Sequence, residues 1–258
     1  MALLNQIKNM PIKLLLLFFF LIATPAFAIS PTVLDGTPLI TAVEAGGGDT
    51  SITYSYTSPS GGSNRLMVIL IGWGCGNKPT TVTYGGTSMT LTTRLVAQAI
   101  GDGILVYLAN PTAGAANVVV SWTGAAACTL SAATFTLQDA KQTSPQDVAG
   151  ANSGFSTGTS KTQAITTSTN GDIILTWIIV NNGAGLAANS PQVSLGIGGL
   201  PGFNGYMGTS LAQTTAGAIT TGFTWTNSTN GDMFVQALLV EAPAAAAVPD
   251  LGVFTIFE

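Results

Sequence analysis

The chain has no histidine, and only 7% of its 258 residues are charged, against about 25% in an ordinary soluble domain. Without histidine, neither a Ser-His-Asp nor a Cys-His nucleophile can be assembled, and no imidazole is available to hold a metal. Basic residues number seven. Lys8 and Lys13 lie near the N-terminus, and Arg65, Lys78, Arg94, Lys141 and Lys161 are scattered. No basic patch exists to neutralise phosphates, so nucleic acid is not an expected partner. Cysteine occurs twice, at Cys75 and Cys128, a poor ligand set for zinc. No window beyond the first thirty residues carries a helical 3.6 period.

What is present is apolar. Hydrophobic residues reach 47% and come in strand-length runs, which argues against disorder. With so few charges, the surface must stay hydrated through hydroxyls and backbone.

Residues 1–28 read as a secretory signal peptide. Lys8 and Lys13 supply the positive region, Leu14 to Ala23 an unbroken apolar run, and Ala26-Phe27-Ala28 the small residues a signal peptidase inspects. The apolar run falls short of the roughly 20 residues that span a bilayer. Cleavage after Ala28 is expected, with membrane contact only transient. Loss of Lys8 and Lys13 leaves five basic residues against eleven acidic ones, a net charge of −6. Outside the cytoplasm thiols oxidise, so Cys75 and Cys128 are expected to form a disulfide, two separate buried thiols being the alternative.

From Ser30 onward, alternation and β-branched runs dominate. Extended segments are expected near Thr32–Val43, Ser51–Tyr56, Arg65–Trp73, Thr80–Tyr84, Ser88–Thr93, Ile104–Leu108, Asn117–Trp122 and Thr129–Leu137. Later ones are expected at Asp172–Val180, Val193–Ile197, Gly208–Gln213, Gly222–Thr226 and Met233–Val240. Ser51–Tyr56 sets Ile52, Tyr54 and Tyr56 on one face. Arg65–Trp73 is almost wholly apolar, as in a strand covered on both faces. Gly85-Gly86 marks a tight hairpin. Residues 139–162, polar and rich in Gly and Ser, read as a long loop with at most an edge strand.

Ser168-Thr169-Asn170-Gly171-Asp172 recurs as Ser228-Thr229-Asn230-Gly231-Asp232. Asn-Gly is a tight-turn signal, so two similar hairpins are expected. A calcium loop would use the same Asp and Asn oxygens, but one carboxylate per loop is a thin supply. No metal and no cofactor is expected. A carboxylate pair could still hydrolyse a glycoside, yet most acids sit beside Gly or in turns, where Asp bonds its own backbone.

Many short strands with frequent turns predict an all-β, two-sheet antiparallel β-sandwich, with helix only in the signal peptide. The expected division is a signal peptide (1–28), an N-terminal extended segment that could act as a donor strand (29–50), the sandwich (51–243) and an Ala/Pro-rich tail (244–258). Of the four tryptophans, Trp73 and Trp177 sit in apolar runs and read as core. Trp122 and Trp225 lie near strand ends beside polar residues, where exposure would let them stack on a glycan.

Residues from about 51 to 242 resemble a jelly-roll-like β-sandwich domain of bacterial secreted and cell-surface proteins. The resemblance rests on Ser63-Asn64-Arg65-Leu66-Met67-Val68, Val82-Thr83-Tyr84-Gly85-Gly86 with Met89-Thr90, and Val106-Tyr107-Leu108 leading to Asn110-Pro111. Asn117-Val118-Val119-Val120 and Gly171-Asp172-Ile173-Ile174-Leu175 follow in order. It implies a surface or matrix module with no catalytic residues to carry over. The expected function is therefore a non-catalytic secreted or cell-surface structural or adhesive module. It would assemble with copies of itself by strand addition, carbohydrate binding being the alternative.

Overall fold

The computed structural model describes residues 31–74, 78–93, 95–96, 102–154, 156–181, 184–200 and 203–238. The signal peptide with its cleavage point at Ala28, Cys75 and the 244–258 tail lie outside the described residues. The described residues are all β, and every strand pairing among them is antiparallel.

The strands run β1 (Thr32–Val33), β2 (Leu39–Ala45), β3 (Ser51–Ser58), β4 (Leu66–Gly74), β5 (Pro79–Tyr84), β6 (Thr87–Ser88), β7 (Thr90–Leu91), β8 (Leu95–Val96) and β9 (Asp102–Ala109). There follow β10 (Gly114–Trp122), β11 (Cys128–Gln138), β12 (Gln146–Asn152), β13 (Ser156–Thr166), β14 (Asp172–Val180), β15 (Ala187–Ala188), β16 (Val193–Leu200), β17 (Phe203–Gln213) and β18 (Ala218–Leu238).

These strands form three stacked sheets, one more than the two-sheet sandwich expected. The middle sheet has the order β1-β11-β4-β9-β7, with β2 also on β11 and β8 also on β9. A small sheet, β3-β10-β5-β6, covers one face, and a large sheet built on β12-β18-β14-β17-β16 covers the other. The side chains of β4 explain the third layer. Leu66, Val68 and Leu70 pack with Trp177, Ile179 and Tyr206 of the large sheet. Met67, Ile69, Ile71 and Trp73 pack with Ile52, Val82, Val118 and Trp122 of the small sheet. Because successive side chains point to opposite faces, an unbroken apolar run is what a strand between two cores requires.

Hydrogen bonds as well as apolar contact join the layers. The Tyr206 hydroxyl donates to the Leu70 carbonyl at 2.7 Å and accepts from the Ala133 amide at 3.0 Å. Trp177 donates its indole N–H to the Ile71 carbonyl at 3.0 Å. On the other face, the Tyr54 and Tyr56 hydroxyls bond Thr134 Oγ1 at 2.9 Å and Thr136 Oγ1 at 2.8 Å.

Several local expectations change. The Gly85-Gly86 hairpin is present, with both glycines at positive φ (54° and 82°) and Tyr84 opposite Thr87. Residues 139–162 are largely not loop: they carry β12 and most of β13, both on β18. Their polar character follows from half-exposed edge positions. The first Asn-Gly echo is a turn, with Gly171 at φ 85°, but the second lies inside β18, where Asn230 stands opposite Thr157. Cross-strand pairing outweighs the local turn preference there.

β18 also carries the fold beyond a plain sandwich. Its second part pairs with β14 and β12. Its first part, paired with β13, covers the outer side of the large sheet. Phe223 and Trp225 pack on Ile178 and Met207, and Thr176 Oγ1 donates to Thr221 Oγ1 at 3.2 Å.

Candidate functional site

The residues that the sequence singles out do not converge on one site. Trp122 ends β10 and is only 4% exposed, with its ring against Trp73 in an edge-on contact at 5.2 Å and 70°. Trp225 is also 4% exposed, packed among Phe223, Ile178 and Leu186. The expectation of exposed glycan platforms at Trp122 and Trp225 is therefore corrected: both are core residues. Period-two alternation is the reason. Thr224 and Thr226 face solvent, so the tryptophan between them faces inward.

The segments around Arg65 and Asn110-Pro111 act as internal ties. Arg65 Nη1 donates to the Pro59 carbonyl, and Nη2 donates to the Pro111 carbonyl at 2.9 Å. The Asn110 amide returns to the Arg65 carbonyl at 2.8 Å. One guanidinium thus joins the Pro59 turn to the β9–β10 crossover, where Asn110 takes positive φ.

The closest cluster of acids lies at the Ser168–Asp172 turn. Asp147 of β12 accepts the Ser168 amide at 2.6 Å, the Ser168 hydroxyl, and the Thr169 hydroxyl at 3.1 Å. Asn170 Oδ1 caps the Ala216 amide at 2.7 Å. Asp172, the first residue of β14, is fully buried. As a carboxylate, both of its oxygens would lack a donor; protonated, it hydrogen-bonds Asp147. Burial, then that bond and the Asp147 charge, push the Asp172 carboxyl up to about 8. Burial works to raise Asp147 as well. Bonds from the Ser168 hydroxyl and amide, from Asp172 and from Thr169 outweigh it and hold Asp147 below the ordinary carboxylate value. Asp147 spends its oxygens on the turn, and the buried Asp172 carboxyl lies against it. Among the described residues, no group of three His, Cys, Asp or Glu side chains could hold a metal ion.

A half-buried acid, Asp35, anchors the N-terminal segment. Asp35 Oδ2 accepts the Tyr56 hydroxyl at 2.7 Å and the Thr136 amide at 2.9 Å. Burial raises its carboxyl above the ordinary value, against the lowering effect of both bonds. The place of Asp35 in the short break between β1 and β2 was not legible from local pattern.

The N-terminal segment itself is an edge element of the middle sheet. β1 and β2 both pair with β11: Val33 stands opposite Leu137, and Leu39 to Ala45 run opposite Thr134 to Cys128. Gly46 to Asp49 then form a turn, in which Gly46 N donates to Asp49 Oδ2 at 2.7 Å, and the chain crosses to the small sheet. Of the two cysteines, Cys128 is described and buried.

No family model matches the chain, and no curated protein matches it.

Proposed function

We propose that this chain is a non-catalytic, secreted or cell-surface structural module that self-assembles by strand addition, its N-terminal segment being the donated strand. One observation carries the reading. Residues 32–45 pair with β11 alone among the described strands, and join the body through a turn containing Gly46, Gly47 and Gly48. The segment can leave its own β11 and take up the same ladder on the next copy, keeping every bond it makes here. Such head-to-tail exchange produces chains of subunits rather than closed pairs when the rotation does not close.

Export is supported by the leader, and a Cys75–Cys128 disulfide suits that compartment. Closing a loop of about 50 residues contributes roughly 4 kcal/mol on the chain-entropy model.

Deletion of residues 29–43 tests the reading. Loss of filaments or oligomers in electron micrographs and light scattering is expected. Assembly that persists unchanged rules the donor role out.

A further inference from the structure

β16 is a sheet edge with no described strand paired on its outer side, β17 pairing with it on the other. Its sequence, Val-Ser-Leu-Gly-Ile-Gly-Gly-Leu, has no charge, whereas free edges are normally blunted by charge, proline or a covering segment. Val193 and Ile197 are 63% and 59% exposed, the large hydrophobic residues left most open among those described. The register shifts between Ser194 and Gly196 and between Gly198 and Leu200.

The chain beyond Leu238 starts close to this edge. Leu238 stands opposite Ile173, Ile173 opposite Ala212, and nearby Ser210 opposite Val193. β18 therefore ends at the end of the sheet where β16 begins. The outer side of β16 is four strand spacings away, about 19 Å. Residues 239–250 can span up to about 40 Å. Beyond them lies Leu251-Gly252-Val253-Phe254-Thr255-Ile256-Phe257, uncharged, rich in β-branched and aromatic residues, and one strand long.

We propose that residues 251–257 add to the outer edge of β16 in the same chain, parallel to it, and cover Val193 and Ile197. The parallel sense follows from arrival at the Val193 end. An antiparallel strand would first have to travel the length of β16, leaving the tether nearly fully stretched. A segment of the same chain is favoured over a second copy's because a short tether holds it at roughly millimolar effective concentration. The inference does not depend on the assembly reading, which concerns β2 and β11 at the edge of another sheet.

The test places a photo-crosslinking residue, Ile197→p-benzoylphenylalanine, in the full chain, and mixes isotopically heavy and light copies. Irradiation, digestion and mass spectrometry should yield an adduct to a peptide within 251–257 of the same isotope. An adduct of mixed isotope, an adduct elsewhere, or none overturns the proposal. Independently, the variant Phe254→Asp/Ile256→Asp should raise amide hydrogen exchange across β16 by about tenfold or more. Unchanged exchange there also overturns it. Assembly of the deletion lacking 29–43 is scored separately, so either claim can fail alone.

Discussion

Ile40 of β2 occupies the space beside Gly198 of β16: a Cβ placed on Gly198 would lie 2.5 Å from Ile40 Cγ2. The absence of a side chain at Gly198 is what lets the edge of the large sheet close over the N-terminal strand. Gly198→Val should therefore cost about 1–3 kcal/mol, the usual price of overpacking. Adding Ile40→Ala to that variant should recover part of the loss. Urea denaturation of both single variants and the double variant measures the coupling, and strict additivity would show that the contact does not matter.

Tyr206→Phe should destabilise the protein by about 1–3 kcal/mol, although it removes one atom. The Ala133 amide and the Leu70 carbonyl both bond that hydroxyl, and buried groups left without a partner carry their desolvation cost. A denaturation midpoint within error of the parent would contradict the interlayer role.

Asp172 predicts a pH dependence. Its carboxyl stands at about 8 in the fold and near 3.9 in an unfolded chain. Between these values the folded state holds a proton that the unfolded state has released. Its stabilising contribution is complete below about pH 4 and is lost as pH rises toward 8. Asp147, held low, acts in the opposite sense, its contribution being lost only as pH falls below the ordinary carboxylate range. Asp172→Asn should flatten the decline between pH 4 and 8. Melting temperatures of parent and variant at pH 4, 6 and 8 check this, and parallel curves would refute the raised Asp172 carboxyl.

Trp122→Ala should cost about 3–5 kcal/mol through the cavity left against Trp73, together with the edge-on ring contact. Calorimetric melting reads the loss. A variant as stable as the parent would mean that the ring is not packed as described.

Much of the fold was legible in the chain. The apolar run of β4, the alternation of β3 and the Gly85-Gly86 turn each specify a local answer that tertiary packing does not override. The number of layers was less accessible. An apolar run says that both faces are covered, but not whether sheets or loops cover them. The polar stretches at 146–152 and 156–166 are strand because β18 offers them ladders, a partner remote in sequence. The same long-range pairing suppresses the turn at Asn230-Gly231. Polar neighbours left glycan stacking open as an alternative for Trp122 and Trp225, whereas alternation points both rings into the core. The Asp147–Asp172 pair brings together residues of two strands that do not pair with each other, and no local pattern announces it.

Exchange of the N-terminal strand can be measured directly with cysteines at the register pair Thr41 and Ala132. One copy carries Thr41→Cys, another carries Ala132→Cys, and the two are assembled together and oxidised. A disulfide joining the two different copies is the predicted result. Failure to link them, while Thr41→Cys/Ala132→Cys in a single chain closes internally, would show that the strand stays home.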